Sequence, residues 1–207
     1  MNLGRPLLTV TPSLDGDVLA VLARSESGFT TGQVHRLLGA FSEEGIRRVL
    51  NRLAVQGIVD ATRVGAAYSY RLNRQHLAAS PVIALAELMD AFLTRLGQLL
   101  DGWEVRPLHA AVFGSAARGT MQVDSDVDVF LVRPDLCTDE VWLPQVAVLT
   151  AQVRRWTGND ARVLEFTAGA LSATGPPEPV LHDVLKEGLT VIGTHAWLAR
   201  QLRSVRP

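Results

Sequence analysis

Cysteine and lysine are nearly absent from this chain, and their scarcity excludes several kinds of site. Cys137 is the single cysteine, so no disulfide can form within the chain, as is usual in a reducing compartment. Lys186 is the single lysine. The stretch Gly114–Thr120 therefore lacks the lysine that a P-loop requires. The 5 histidines are scattered without paired spacing, which argues against a zinc site.

Long apolar runs are absent as well. No run approaches the roughly 18 residues that a membrane-spanning helix needs, and the first residues lack the pattern of a signal peptide. We therefore expect a cytoplasmic protein with no membrane partner. With 207 residues and a hydrophobic fraction of 47%, the chain is long and apolar enough for one large or two small folded domains.

The net charge of −1 conceals an asymmetry between the two parts of the chain. Residues 1–75 carry 9 arginines and 6 acids, whereas the remainder has an excess of acids. A basic front and an acidic rear indicate two modules with different partners.

The front module has the pattern of three helices followed by a hairpin. Thr30 with Gln33 is a capping-box signature, and Ser42 is a suitable N-cap for a third helix. Two β-rich runs follow, Ile58–Val64 and Ala67–Leu72, joined around Gly65. A short turn between helices and a two-stranded ribbon resemble the winged helix-turn-helix of bacterial regulators, and residues 50–59 are similar to its third helix and first wing strand.

This resemblance implies binding of double-stranded DNA and a role in transcription regulation. The candidate contacts are one serine and five arginines, placed in the third helix or in the hairpin: Ser42, Arg47, Arg48, Arg52, Arg63 and Arg71. Winged helices also dock proteins, so a scaffold function stays open. We predict that this domain spans residues 1–76.

Residues 73–81 have the composition of a hinge. From Val82 to about Gly102 a long apolar stripe predicts one helix, either the first helix of the rear domain or a dimer contact, so a homodimer is possible. We predict a second domain over residues 82–194 and a C-terminal tail over 195–207.

The rear module contains the most informative motif. An apolar run, His109–Phe113, leads into Gly114 and Ser115, and a second apolar run carries Asp126 and Asp128. Alternate residues of a strand share a face, so the two carboxylates lie side by side. Two such carboxylates repel each other, and removing them from water costs free energy, unless a cation lies between them. Mg²⁺ with phosphate oxygens suits this all-oxygen environment, and a helix that opens at the Gly-Ser turn supplies N–H groups for phosphates.

Gly114-Ser115, then Asp126-x-Asp128 between hydrophobic residues, resembles the DNA polymerase β-like nucleotidyltransferase superfamily, particularly its minimal bacterial members. The resemblance implies transfer of a nucleoside monophosphate from a nucleoside triphosphate to a hydroxyl acceptor. It also implies two Mg²⁺ ions and phosphate binding by Gly114, Ser115 and Arg118. Arg118 has the alternative of pairing with Asp124 or Asp135.

The family places a third acid on a neighbouring strand. Glu165 is the acid inside the apolar run Ala161–Thr167, so we expect it to complete the catalytic and metal-binding set with Asp126 and Asp128. The departure is that the family usually has aspartate there, and the alternative is that Glu165 lies on a solvated sheet edge.

The sequence thus predicts an α/β (α+β) protein, with a winged helix domain before a small mixed-sheet nucleotidyltransferase fold. Three functions compete. The first is a Mg²⁺-dependent nucleotidyltransferase attached to a DNA-binding module, whose acceptor is a protein, such as a HEPN-type toxin, or a small hydroxylated molecule, such as an aminoglycoside. The second is a transcriptional regulator that senses a nucleotide without turnover, and the third is a protein-docking scaffold.

Overall fold

The computed structural model describes residues 1–171 and 178–203, and the chain divides into two compact units. One unit is Arg5–Met89, and the other consists of residues 1–4 together with the chain from Asp90 onward. Among the described residues, every helix is too short or too polar to traverse a lipid bilayer.

The first unit is a group of helices with one hairpin. Its elements, in chain order, are a 3₁₀ helix (Pro6–Thr9), α1 (Leu14–Ala23), α2 (Thr31–Leu38), α3 (Glu43–Val55), β1 (Val59–Val64), β2 (Ala67–Leu72) and α4 (Ala79–Ala86). β1 and β2 pair in antiparallel register. Gly65 lies in the turn between them and has a φ of 60°, a backbone conformation that glycine adopts without steric cost. Phe29 adds a single bridge to Tyr70 of β2.

Local hydrogen bonds explain where α2 and α3 begin. Thr30 and Gln33 form a reciprocal capping box at the start of α2, which confirms the predicted signature. The Ser42 hydroxyl accepts a hydrogen bond from the Gly45 amide at 3.1 Å, so Ser42 caps α3 as predicted. A core of fully buried aliphatic side chains, among them Val18, Leu22, Val34, Ile46 and Leu50, joins the three helices.

The second unit is built on a small mixed sheet, as the sequence predicts. Its elements, in chain order, are α5 (Leu88–Asp101), β3 (His109–Phe113), α6 (Gly114–Arg118), β4 (Val127–Arg133), α7 (Asp139–Thr157), β5 (Ala161–Thr167), α8 (Ala168–Leu171), α9 (Pro179–Glu187), β6 (Leu189–Ile192) and α10 (His195–Arg203). The strand order is β5-β4-β3-β6. β4 and β5 are parallel, whereas β3 is antiparallel to both β4 and β6.

The two faces of this sheet carry different helices. Phe130 and Val132 of β4 pack with Leu181 and Val184 of α9 and with Leu198 of α10. The alternate residues of β4 point to the opposite face, where α7 packs on β5. Side chains on β4 therefore face either α9 and α10 or α7, according to their parity along the strand.

The helix predicted as continuous from Val82 to Gly102 is two helices. α4 ends at Ala86 with Glu87 as its C-cap, and α5 begins at Leu88. α4 contributes Ala79 and Ala86 to the core of the first unit, whereas the division between the units falls at Met89. The apolar stripe continues across the break between α4 and α5 because each of the two helices has one buried side. Of the predicted tail, residues 204–207 lie outside the described residues.

Candidate functional site

The Gly-Ser turn and the acid pair meet at one end of the sheet. β3 runs into α6 at Gly114, and β4 returns beside β3 so that Phe113 pairs with Asp128. Gly114 has a φ of 68°, and a Cβ there would overlap Asp128 Oδ2 and lie 3.2 Å from its Cγ. Glycine is therefore required both by the backbone conformation and by the carboxylate packed against it.

The loop before Asp126 is held by polar contacts from the segment that precedes β5. The buried Asn159 donates from Nδ2 to the carbonyls of Val123 at 2.8 Å and Ser125 at 2.9 Å. The Val127 amide donates to the Asp160 carbonyl at 2.8 Å. These bonds fix the backbone on both sides of Asp126, so the position of the acid pair is set by backbone contacts.

The electrostatic environment of Asp128 is that of a half-buried carboxylate in a pair. Burial raises the pKa of Asp128 above its ordinary value. Arg162 opposes this rise, the neighbouring Asp126 adds to it, and Arg118 opposes it in turn. Asp126 itself is exposed. The two carboxylates therefore repel each other at the protein surface, and a bound cation would relieve this repulsion.

A cleft of about 570 Å³ opens beside Asp128. Its polar lining comes from four elements, with Arg118 on α6, Asp128 on β4, Arg162 on β5 and Asp183 on α9. Phe113, Leu164 and Val180 supply apolar wall. A cleft of this size with a few convergent polar groups is typical of a small-molecule site.

The structure brings Gly114 and Arg118 to this cleft. Ser115 follows Gly114 in the first turn of α6 and is half-buried. Arg118 forms an ion pair with Glu187 at the end of α9, whereas Asp124 and Asp135 were the partners considered from the sequence. Asp135 instead accepts a hydrogen bond from the Gly169 amide at 2.8 Å.

Glu165 is not brought to the acid pair, which corrects its predicted place as the third acid; it is exposed on the edge strand β5, the alternative considered from the sequence. In the β4–β5 register Glu165 pairs with Leu131, so it points to the face opposite Asp128. Its Oε2 accepts a hydrogen bond from Trp142 Nε1 at 2.7 Å. A buried indole N–H needs an acceptor, so Glu165 serves the packing of α7. Among residues 1–171 and 178–203, no group of three His, Cys, Asp or Glu side chains is arranged to hold a metal ion.

Asp183 and Arg162 are polar residues of the cleft that were not predicted from the sequence. The one in register with the acid pair is Arg162. It pairs directly with Asp128 across the two strands and is exposed at the mouth of the cleft. The alternation within Ala161–Thr167 groups Arg162 with Leu164 and Phe166. The sequence therefore indicates that these three residues share a face. That this face also carries Asp128 follows only from the register of β5 against β4.

Three of the arginines predicted to contact DNA are tied to acids of the first unit. Arg47 and Arg48 both form ion pairs with Glu44 on the same helix. Arg52 forms an ion pair with Asp15 of α1. The positive charge of α3 is thus partly neutralised at its own surface.

The hairpin carries the other two candidate arginines. Arg71 pairs with Asp60 across the strands, with Nε 3.1 Å from Oδ2. Arg63 donates from Nε to the neutral Gly65 carbonyl at 3.3 Å. Both side chains are exposed.

Comparison with known proteins bears on the segment that carries the acid pair. Residues 92–143 match the family model described as "Nucleotidyltransferase domain". This match includes the Gly-Ser turn and both aspartates, and ends before β5. A search of curated proteins found no match.

Three solved structures are similar at low identity. A toxin–antitoxin with AMP-PNP has 16% identity over 55% of this chain and 82% of that chain, with a TM-score of 0.41. The toxin–antitoxin MntA–HepT has 13% identity over 56% and 82%, with a TM-score of 0.38. A predicted DNA-binding transcriptional regulator from E. coli has 17% identity over 42% and 84%, with a TM-score of 0.32. The family match supports nucleotidyl transfer as the general chemistry of residues 92–143.

Proposed function

We propose that the second unit transfers a nucleoside monophosphate from a nucleoside triphosphate to a hydroxyl acceptor, in a reaction that depends on Mg²⁺. The observation that carries the proposal is Asp128, which lines a cleft and lies directly against the Gly114 turn, with the neighbouring Asp126 acting on it electrostatically. The family match over residues 92–143 supports it.

The residues present fit one divalent cation. Asp126 and Asp128 offer carboxylate oxygens on one side of the strand, and burial raises the pKa of Asp128. A hard cation that keeps several waters needs only one or two protein carboxylates together with substrate phosphates. Bound there, Mg²⁺ would supply positive charge to the phosphates and to the leaving pyrophosphate.

The remaining groups would bind and orient the triphosphate. The Ser115 hydroxyl and the first amides of α6 can donate to phosphate oxygens, since the first amides of a helix have no partner within it. Arg118 would exchange its ion pair with Glu187 for a phosphate. The acceptor hydroxyl then loses its proton to water as its oxygen forms a bond to the α-phosphorus, the bond to the bridging oxygen breaks, and pyrophosphate leaves. The acceptor is a protein side chain or a small hydroxylated molecule.

The test is transfer of an α-labelled nucleotide. The protein is incubated with Mg²⁺, each α-labelled nucleoside triphosphate and a cell lysate, and labelled products are separated. We expect the Asp126→Asn/Asp128→Asn double variant to lose transfer by about 100-fold or more. Asp124→Asn, an exposed acid of the same loop, is the matched control and should transfer normally. Equal labelling by the double variant would exclude the proposal.

A second candidate is a nucleotide sensor without turnover. It is favoured by the position of Glu165, which does not join Asp126 and Asp128 as a third metal-binding acid. The sensor predicts that wild-type protein binds Mg²⁺ and triphosphate, as calorimetry would measure, while no acceptor in any lysate becomes labelled. Labelled product from wild-type protein would exclude it.

We also propose that the first unit is a winged helix that binds double-stranded DNA. Exposed arginines on α3 and on the hairpin support this, because such side chains contact phosphates and base edges. Binding would have to compete with the ion pairs that Glu44 makes with Arg47 and Arg48. Retention on promoter fragments should fall steeply as salt rises, and the Arg47→Ala/Arg48→Ala double variant should be retained less.

Because DNA and Glu44 would compete for Arg47 and Arg48, a substitution of Glu44 gives a sharper test. Glu44→Gln would release both arginines, so we expect it to tighten DNA binding by more than Glu43→Gln does. Glu43 precedes Glu44 in the same first turn of α3, so the general effect of removing one negative charge is common to both variants. Equal binding by the two variants would remove Arg47 and Arg48 from the interface. No salt-sensitive retention of wild-type protein would instead favour a protein-docking module.

A further inference from the structure

Arg162 lies beside Asp128, on the strand where the sequence predicts a third carboxylate at Glu165. It lies on β5 in direct register with Asp128 on β4, and adjacent strands are separated by about 4.8 Å. Both side chains line the same cleft. Arg162 also acts on Asp128 electrostatically, since it lowers the pKa that burial raises.

The charges around the cleft distinguish Arg162 from Arg118. Arg118 already forms an ion pair with Glu187. Arg162, by contrast, forms no ion pair with any residue in the described ranges. Its exposed guanidinium therefore lies at the cleft mouth without a contact ion pair, in the field of Asp128. A guanidinium in such a place is suited to phosphate, which it binds through two parallel hydrogen bonds.

We propose that Arg162 is a phosphate-binding residue of this cleft, and that the site consequently takes its triphosphate with one divalent cation. The inference rests on the proposed nucleotidyl transfer and specifies how the phosphates are held. A second divalent ion beside Asp128 would lie next to the Arg162 charge, and two cations at that separation repel each other. The guanidinium thus supplies the second positive charge that phosphates require.

The test measures binding without reference to turnover. Magnesium tripolyphosphate is the probe, because it carries the phosphates and no base. Its affinity is measured by calorimetry for wild-type protein, Arg162→Gln, Arg162→Lys and Arg155→Gln. Arg155 is an exposed arginine on α7 and serves as the matched control. Thermal unfolding of each variant verifies that it is folded.

We expect Arg162→Gln to weaken binding by about 10- to 100-fold, the range for loss of a charged hydrogen bond. Arg162→Lys should retain part of the affinity because it keeps the charge without the planar fork, and Arg155→Gln should bind as wild type does. Electron paramagnetic resonance with Mn²⁺ and tripolyphosphate should count one bound ion per chain.

The outcomes separate this inference from the proposed function. If Arg162→Gln binds as wild type does while Asp128→Asn loses binding, Arg162 has no phosphate role and the acid pair keeps its own. Two bound Mn²⁺ ions per wild-type chain would overturn the single-ion site. If wild-type protein binds neither tripolyphosphate nor any nucleoside triphosphate with Mg²⁺, the inference and the proposed function fail together.

Discussion

Gly114 offers the most direct test of how the turn and the acid pair depend on each other. Its φ of 68° disfavours any residue with a Cβ by about 1 kcal/mol or somewhat more. In Gly114→Ala the new methyl would also overlap Asp128 Oδ2 and lie 3.2 Å from Cγ. Carbon contacts are comfortable at roughly 3.5–4.0 Å, so the carboxylate must move by on the order of 1 Å.

Gly119 provides a matched control for the backbone cost. Its φ of 70° is nearly the same, and no described atom lies within 4 Å of a Cβ built there. We expect Gly119→Ala to lower the free energy of unfolding by about 1 kcal/mol, as urea denaturation would measure. Gly114→Ala should lower it by a further 1–3 kcal/mol or so, the usual cost of overpacking.

Binding should separate the two variants more strongly than stability does. A metal ligand displaced by about 1 Å no longer meets the ion at its required distance, so Gly114→Ala should bind Mg²⁺ and tripolyphosphate at least about 100-fold more weakly. Gly119→Ala should bind normally. In an Asp128→Ala background the clash is absent, and the two glycine substitutions should then cost the same stability. If Gly114→Ala retains wild-type binding, Asp128 is not a ligand in the position described.

Three further predictions concern stability. Burial lowers the pKa of His109 from 6.5 to about 4, so its neutral form is favoured in the folded state. Stability should fall by about 2 kcal/mol from pH 7 to pH 4.5 in urea titrations, and His109→Phe should remove this loss. Since burial raises the pKa of Asp128, its ionised form opposes folding at neutral pH, and Asp128→Asn should raise the melting temperature of the ligand-free protein. A lower melting temperature would contradict that. Asn159→Ala should lower the free energy of unfolding by about 2–3 kcal/mol, because it leaves two loop carbonyls without their donor, and it should weaken Mg²⁺ binding. Unchanged metal binding would show that the loop holds its shape alone.

The local features of both units were predictable from the sequence because they depend on neighbours in the chain. Thr30 and Gln33 form the capping box that their spacing indicates. Gly65 connects the two strands of the hairpin. The strand, turn and strand around Gly114 follow from two apolar runs with a glycine between them. In each case the interacting groups lie within a few residues of each other.

The break between α4 and α5 was not predictable in the same way. An apolar stripe gives the side of a helix that is buried, but not what buries it. Ala79 and Ala86 belong to the core of the first unit, whereas Phe92, Leu96 and Leu100 are buried from α5. The stripe is therefore shared between two cores, and only the tertiary structure separates them.

The position of Glu165 shows why a site assembled from distant segments is harder to predict than a motif. An acid within an apolar strand needs a partner, and the sequence offered the metal as one. The structure offers Trp142 as another, from a helix that precedes the strand. Glu165 is exposed on the edge strand β5, so solvent and the indole satisfy its carboxylate without a metal ion.

The packing of β5 determines which of its side chains face Asp128, and it therefore determines the charge of the cleft. Leu164 and Phe166 pack against the cluster that contains Phe130, with the Phe130 and Phe166 rings 6.0 Å apart. A shift of β5 by one residue against β4 would bring Glu165 to the face of Asp128, but it would also turn Leu164 and Phe166 away from that cluster. Removing two large apolar side chains from a core costs several kcal/mol, which exceeds what a further carboxylate beside an acid pair could return. The core therefore fixes the register that sets Arg162 next to Asp128, and the electrostatics of the cleft follow from hydrophobic packing on the same face of the sheet.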